Sequence, residues 1–153
     1  MNAWSDTDTG FMRAALSEAS VAADADEVPV GAVVVYGGKV VARAMNRTVS
    51  DCDPTAHAEV VALRAAAQAV GNHRLLGATL YVTLEPCPMC VGAITQARIE
   101  RLVFGAYDEK AGSLGSAVDL TESAALNHRF EINGGVLRDD CEALLTQFFE
   151  QRR

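Results

Sequence analysis

The stretch Thr79-Leu-Tyr-Val-Thr-Leu-Glu-Pro-Cys-Pro-Met-Cys90 decides the fold, because a strand pattern in it passes directly into a helix start. Thr79–Leu84 is rich in β-branched, aromatic and apolar residues, which predicts a buried strand. A helix is predicted from Pro88 to Ala97, since proline is favoured at the first helical position. The short connection therefore places Cys87 and Cys90 together at a helix N-terminus.

The other patterns surround this strand with helices and further strands. They predict an amphipathic helix over Thr9–Ala25, a hairpin of strands Val30–Tyr36 and Lys39–Arg43 around Gly37-Gly38, a helix after Asp53-Pro54-Thr55 that ends at Gly71, a strand at Arg101–Gly105, a short strand within Phe130–Leu137, and a closing helix over Asp140–Arg152. This order predicts an α/β fold with helices on both faces of a sheet. No repeat or linker composition interrupts it, so residues 1–153 are expected to form a single domain.

Composition and charge limit the classes of function. The chain has 153 residues, half of them hydrophobic, and its 20 acidic and 13 basic residues give a net charge of −7. This acidity argues against loose, charge-driven nucleic-acid binding, although it leaves room for a local basic groove. Four cysteines and a start unlike a signal peptide favour a soluble, cytoplasmic protein. The longest apolar stretch, Val30–Tyr36, is too short to span a membrane.

A metal-binding set follows from His57, Cys87 and Cys90. Zinc prefers imidazole nitrogen and thiolate sulfur, and catalytic zinc sites have three protein ligands with an open fourth position. His57 and the two cysteines are predicted at the starts of two helices, whose positive ends favour thiolates and a neutral imidazole. A redox pair or a structural zinc site is the alternative. A structural site needs a fourth ligand, and the remaining cysteines and histidines show no paired spacing.

Glu59 lies two residues after His57 and supplies the acid–base group. Hydrolytic deamination adds water to an amidine carbon, protonates a ring nitrogen and releases ammonia, and one carboxylate can make these proton transfers in sequence. The pattern His-x-Glu followed by Pro-Cys-x-x-Cys is the signature of zinc-dependent nucleobase deaminases. The motif therefore predicts hydrolytic deamination, with Glu59 as the catalytic residue and Zn²⁺ as the cofactor.

The similarity extends well beyond this motif. The matching segments are Glu27-Val-Pro-Val-Gly-Ala32, Asn46-Arg47, Asp53-Pro-Thr-Ala-His-Ala-Glu59, Leu80-Tyr-Val-Thr-Leu-Glu-Pro-Cys-Pro-Met-Cys90, Leu126-Asn-His-Arg129 and the closing helix Leu144–Arg153. In these segments the sequence resembles the bacterial tRNA adenosine deaminases. The resemblance implies a three-layer α/β/α cytidine-deaminase-like fold with a mixed five-stranded sheet, one zinc ion per subunit and a homodimer. It also implies conversion of adenosine to inosine at the wobble position of a tRNA anticodon, with an arginine tRNA as the expected substrate.

Two alternative functions remain at this point. Guanine deaminases share Asp53-Pro-Thr-Ala-His-Ala-Glu59 and often the Pro-Cys-Pro-Met-Cys motif, so a free-base deaminase is one alternative. The segments flanking the motif, Glu27–Gly31 and Tyr81–Glu85, are similar to the tRNA enzymes instead. A non-catalytic tRNA-binding partner subunit is the other alternative, and Glu59 argues against it because such partners typically lose the acid.

The resemblance also implies a set of substrate contacts. These are Asn46 with the flipped adenine, the Ala58 amide and the Pro86 carbonyl with the polar edge of the base, Val30 and Leu84 as apolar walls, and Asp108 with a ribose 2′-hydroxyl. The residues have simpler interpretations too: Asn46 as a turn residue, Val30 and Leu84 as core, and Asp108 as a solvated acid. Cationic side chains are expected to gather around the mouth of the site, namely Arg47, Arg74, Arg98, Arg101, Lys110, Arg129, Arg152 and Arg153.

Overall fold

Four helices and five strands form the fold in a computed structural model that describes residues 4–152. In chain order they are α1 (Asp6–Asp24), β1 (Gly31–Tyr36), β2 (Lys39–Met45), α2 (Ala58–Val70), β3 (Thr79–Leu84), α3 (Pro88–Gln96), β4 (Arg101–Ala106), a 3₁₀ turn (Leu120–Glu122), β5 (Glu131–Gly134) and α4 (Arg138–Glu150). The predicted elements are confirmed, with bounds that differ by up to three residues. Within residues 4–152, no helix is long and apolar enough to cross a membrane.

The strands form one sheet in the order β2-β1-β3-β4-β5. β1 is antiparallel to β2 and β3, whereas β3, β4 and β5 are parallel to one another. The mixed five-stranded sheet predicted from the resemblance is therefore confirmed. Gly37 and Gly38 connect β1 to β2 with φ angles of 60° and 78°, the left-handed conformation that a tight two-residue hairpin turn requires.

Helices cover both faces of this sheet. Successive residues of a strand point to opposite faces, so each strand contributes to two apolar layers. One layer packs α1 and α4 against the sheet through Met12, Ala15, Val33, Tyr81, Val103 and Cys141, and the other packs α2 and α3 through Ala62, Leu63, Val34, Leu80, Ile94 and Leu102. The three-layer α/β/α architecture is thus confirmed.

Local sequence signals determine where the helices begin and end. Ser5 caps α1 by accepting a hydrogen bond from the Asp8 amide at 3.1 Å, so the helix begins three residues before the predicted start. α2 ends at Gly71, whose φ of 78° is a left-handed cap that glycine adopts without strain. Pro88 begins α3 as predicted.

The first helix lies very close to the first strand. A Cβ atom at Gly31 would overlap the Ala15 carbonyl oxygen and would lie 2.6 Å from the Ala19 amide nitrogen. Only glycine therefore permits this separation of α1 and β1. The close approach comes directly after the segment that contains Glu27, Val28 and Val30.

Candidate metal centre and substrate pocket

The three predicted metal ligands converge at the N-termini of α2 and α3. His57 is the N-cap residue of α2, Cys87 is the N-cap residue of α3, and Cys90 lies in the first turn of α3. Both cysteine Sγ atoms lie 3.6 Å from His57 Nδ1, and the three ligand atoms lie within 4.8 Å of one another. Ligand atoms around a tetrahedral zinc ion with ordinary bond lengths are about 3.5 Å apart. The donor set and its spacing therefore fit zinc.

The thiols and the imidazole interact strongly with one another. A hydrogen bond from the Cys90 thiol lowers the pKa of Cys87 to about 4, and a hydrogen bond with His57 acts in the same direction against burial. The same bond to Cys87, together with burial, raises the pKa of Cys90. The hydrogen bond with Cys87 also raises the pKa of His57. Protons held in this way are displaced when a metal ion binds, because coordinated thiols are deprotonated.

Glu59 is buried in the first turn of α2, beside the ligand set. Burial raises the pKa of its carboxyl, and the charge of His57 partly opposes this rise. A carboxyl group whose protonated form is stabilised can both accept and return a proton. The structure therefore places a buried carboxyl group with a raised pKa next to the predicted metal centre.

Glu59 and two of the metal ligands face a cavity of about 280 Å³. The cavity is lined by Val28, Val30, Asn46, Thr48, His57, Ala58, Glu59, Leu84, Glu85, Cys87, Asp108 and Ala111. Apolar walls with a few convergent polar groups are typical of small-molecule sites. Five of the six predicted substrate contacts, all except Pro86, lie on this wall.

The remaining predicted contact, Pro86, is buried just outside the lining. Its carbonyl oxygen accepts a hydrogen bond from the Ser113 amide at 2.9 Å. Asn46, by contrast, follows β2 directly, and its backbone amide donates to the Val30 carbonyl at 3.0 Å. This bond places Asn46 next to Val30, and both residues line the cavity.

Asp108 has a structural role in addition to its position on the pocket wall. Its Oδ1 accepts hydrogen bonds from the Lys110 amide at 3.0 Å and the Ala111 amide at 3.2 Å. These bonds form a turn that brings Ala111 to the pocket. The Asp108 carboxylate therefore stabilises a loop at the pocket wall. The simpler interpretation, a solvated surface acid, does not include this role.

Sequence reasoning gave no role to two buried carboxylates that hold the pocket walls. Glu27 is 0% exposed and accepts hydrogen bonds from the Val49 and Ser50 amides at 3.2 and 2.6 Å. Burial raises the pKa of Glu27, but the bonds to Ser50 and Val49 outweigh it and hold the pKa below its usual value. Glu85 is equally buried and bonds the loop that contains Asp108. Both acids lie beside strands that are predicted to be buried. Because unpaired charges are rare in such positions, this placement in the sequence could have indicated that each carboxylate has hydrogen-bond partners.

The predicted cluster of cations is wrong for Arg101. Its guanidinium donates to both oxygens of Asp8 at 2.7 and 2.8 Å, at the start of β4. The pocket lies at the other end of the sheet, where β3 leads into Cys87, and β3 and β4 are parallel. A strong ion pair with a distant helix therefore fixes this arginine away from the mouth.

Arg152 is held against α4 and the turn that follows α1. Its guanidinium lies over the Phe148 ring and donates to Asp26 at 2.6 Å, next to the segment that leads to Val28. Arg47 is paired with Asp51 in the segment that follows Asn46. Arg153 lies outside the described residues. Contact of Arg47, Arg152 and Arg153 with RNA at the mouth of the pocket stays a prediction.

Comparison with known proteins agrees with this geometry. The MafB19-like deaminase family matches residues 6–153. A tRNA-specific adenosine deaminase of Haemophilus influenzae is 47% identical over 150 residues, which cover 97% of this chain and 87% of that protein. A solved tRNA:A34 deaminase, studied for A-to-I editing at the wobble position, is 47% identical with a TM-score of 0.88, covering 90% of this chain and 99% of that one.

A more distant relative has the same architecture. The guanine deaminase of Nitrosomonas europaea is 26% identical with a TM-score of 0.79, covering 92% of this chain and 83% of that chain. Its identity to this chain is lower than that of the tRNA-specific adenosine deaminase of Haemophilus influenzae. The chain belongs to the tRNA-specific adenosine deaminase family, within the MafB19-like deaminases.

Proposed function

We propose that this protein deaminates the wobble adenosine of a tRNA anticodon to inosine, with an arginine tRNA as its expected substrate. One observation carries the proposal: buried Glu59 lies beside the ligand set His57, Cys87 and Cys90 in a pocket with Asn46 on its wall. A redox pair of cysteines has no use for this carboxylate. A structural zinc site does not require a pocket.

The ligand set suits one zinc ion per subunit. His57 Nδ1 and the Sγ atoms of Cys87 and Cys90 are the donors that zinc prefers, and their separation fits a tetrahedral site. A zinc ion bound there would lower the pKa of a water molecule and so supply a nucleophile at neutral pH. The other chemical requirements fall on protein groups.

Glu59 moves the protons. Its carboxylate accepts a proton from the attacking water and delivers it to a ring nitrogen of the adenine. It then takes the second proton from the oxygen now bonded to C6 and transfers it to the amino group, so that the C6–N bond breaks, ammonia leaves and the C6–O bond becomes a carbonyl. Water and adenosine are consumed, inosine and ammonia are released, and Glu59 returns to its initial state. Because the carboxyl is buried, its protonated intermediate form is stabilised between these steps.

The pocket wall orients the base and the ribose. The side-chain amide of Asn46 can both donate to and accept from a purine edge. The backbone amide of Ala58 lies between His57 and Glu59 in the sequence. Val30 and Leu84 contribute apolar surface to the ring. Asp108 is the proposed acceptor for a ribose 2′-hydroxyl. The Pro86 carbonyl lies outside the lining and accepts from the Ser113 amide, so its second lone pair is the proposed acceptor from the base. A base must leave its stack to reach these groups, so the nucleotide is flipped.

The wider setting of the enzyme follows from the same resemblance. We propose a single domain over residues 1–153, because the one sheet joins β1 to β5 and the family match begins at residue 6. We also propose a homodimer that binds the anticodon loop in the cytoplasm, where the four free cysteines remain reduced.

The test uses the purified protein with an anticodon stem-loop and, in parallel, free guanine, cytidine and adenosine. Wild-type protein should form inosine in the stem-loop and release ammonia. Glu59→Gln should retain one zinc per chain and lose about 10²- to 10⁴-fold in rate, because the acid–base step is removed. Glu100→Gln, an exposed acid just before β4, is the control and should be fully active. Activity on guanine alone would favour the free-base alternative, and full activity of Glu59→Gln would refute the mechanism.

A further inference from the structure

Glu85 lies between the end of β3 and the metal ligand Cys87, and it is only 2% exposed. Its Oε1 accepts hydrogen bonds from the Asp108 amide at 3.2 Å and the Ser116 hydroxyl at 2.5 Å. Its Oε2 accepts from the amides of Leu114 at 3.0 Å and Ser116 at 3.2 Å. All four donors belong to the segment 107–119 that follows β4. One carboxylate thus holds both ends of the turn that begins at Asp108.

The segment 107–119 supplies one wall of the substrate pocket. Asp108 and Ala111 line the cavity, and Asp108 is the proposed acceptor for the ribose hydroxyl. The backbone fixes the same segment to the strand end, because the Ser113 amide donates to the Pro86 carbonyl at 2.9 Å. Glu85 is therefore placed to determine the position of groups that face the substrate.

We infer that Glu85 is a positioning residue whose carboxylate holds Asp108 and Ala111 in place and thereby sets how the enzyme recognises the ribose of its target nucleotide. The inference rests on the proposed function for its substrate. It assigns Glu85 to substrate discrimination rather than to proton transfer. Its four acceptor bonds already use the carboxylate fully.

Only a carboxylate satisfies this set of donors. An ionised glutamate is purely an acceptor, whereas the amide of glutamine has two donors in place of one acceptor oxygen. Glu85→Gln would keep the shape of the side chain but direct an NH₂ group at N–H or O–H donors from Asp108, Leu114 or Ser116. Such donors would then be buried without an acceptor, which opens the segment.

Gly112 offers a second and independent perturbation of the segment. A Cβ atom there would overlap the Asp108 carbonyl oxygen and would lie 2.5 Å from Glu85 Cδ and 2.6 Å from its Oε1. Gly112→Ala therefore displaces the segment from the carboxylate while the charge of Glu85 stays. If position rather than charge matters, the two variants should have the same phenotype.

Hydrogen exchange in the full-length protein tests the structural half of the inference without any substrate. Glu85→Gln should speed exchange of the Asp108, Leu114 and Ser116 amides, and Gly112→Ala should do the same. The Val49 and Ser50 amides, which donate to Glu27 in the segment after β2, should keep their wild-type rates. Unchanged exchange across 107–119 in both variants would overturn the inference.

Kinetics test the functional half with two stem-loops that differ only in a ribose or deoxyribose at the target adenosine. Both variants should raise KM for the ribose substrate about tenfold and lower the preference for ribose, with zinc content retained. Asp8→Asn, which removes a buried carboxylate at the other end of the sheet, is the control for general destabilisation and should change neither quantity.

The outcomes separate the two levels of the argument. A wild-type protein that leaves both stem-loops unchanged contradicts the proposed function, while the exchange rates still decide whether Glu85 holds the segment. An active wild type with unchanged KM and ribose preference in both variants refutes the role in discrimination. Should Glu85→Gln fail to fold, Gly112→Ala provides the same comparison.

Discussion

Replacing Asp8 by asparagine should measure how strongly α1 is bound to the centre of the sheet. The buried Asp8 carboxylate accepts hydrogen bonds from the Tyr81 hydroxyl at 2.6 Å and from Arg101 at 2.7 and 2.8 Å. These contacts connect α1 to β3 and β4. Asp8→Asn keeps the size of the side chain but removes its charge and turns one acceptor into a donor that faces a donor.

The expected loss follows from the exposure of the two partners. Breaking a fully buried ion pair costs about 3–5 kcal/mol, and a single hydrogen bond to a charged group contributes about 1.5–3 kcal/mol. The Arg101 side chain is 24% exposed and keeps a bond to Glu131 at 2.9 Å, so the lower range applies. We expect a decrease of about 2 kcal/mol in the free energy of unfolding. This corresponds to about 4–8 °C in Tm for a domain of this size.

The dependence on pH provides the decisive observation. The Arg101 guanidinium and the Tyr81 hydroxyl hold the pKa of Asp8 below its ordinary value against burial. A carboxyl with a lowered folded-state pKa stabilises the protein above its unfolded pKa of about 3.9, and this contribution disappears as pH falls through the folded value. The stability difference between wild type and Asp8→Asn should therefore be full at pH 7 and should shrink below about pH 4.

Urea denaturation followed by circular dichroism measures this difference at pH 7, 5 and 3.5. Comparing the two proteins at each pH cancels contributions that they share, including those of the metal ligands. Equal midpoints at pH 7 would show that the ion pair contributes nothing. A difference that stays constant down to pH 3.5 would refute the assignment of the lowered pKa to Asp8.

Two further substitutions test packing and substrate contact. Gly31→Ala should destabilise the protein by about 3 kcal/mol in thermal unfolding, because its Cβ overlaps the Ala15 carbonyl oxygen. Gly10→Ala on exposed α1 surface meets nothing within 4 Å and should instead stabilise by about 0.5–1 kcal/mol; a shared sign would refute the steric argument. Asn46→Ala should retain zinc but lower kcat/KM for the stem-loop roughly 5- to 150-fold, the loss expected for a bidentate base contact, and unchanged kinetics would exclude that contact.

Local signals explain why most elements could be predicted from the sequence. The β3–α3 junction carries apolar strand residues, a helix-starting Pro88 and both cysteines within twelve positions, so strand, helix and ligand spacing are fixed by neighbours. The Gly37-Gly38 turn and the Gly71 helix end likewise need no distant partner. β5 was only broadly located, within Phe130–Leu137, because this four-residue edge strand carries little pattern of its own.

Contacts between distant parts of the chain could not be predicted in this way. In the sequence, Arg101 looks like any surface arginine. Its partner Asp8 lies ninety-three residues earlier and contacts it only in the folded chain. The roles of Glu27 and Glu85 could not be predicted either, because their hydrogen-bond donors lie more than twenty residues away in sequence. A carboxylate becomes a buried acceptor only when the loops that it bonds close around it.

The proposed catalytic groups and two of the loops that line the pocket lie in different segments of the chain. The groups proposed for the chemistry, His57, Glu59, Cys87 and Cys90, all lie at two helix N-termini packed beneath the sheet ends. The guanine deaminase of Nitrosomonas europaea shares this architecture at 26% identity. Two parts of the remaining wall are loop segments after β2 and β4, each held by backbone amides bonded to one buried carboxylate. A change in those loops can therefore alter which nucleotide fits without replacing a metal ligand or Glu59, since none of these four residues lies in segments 46–50 or 107–119.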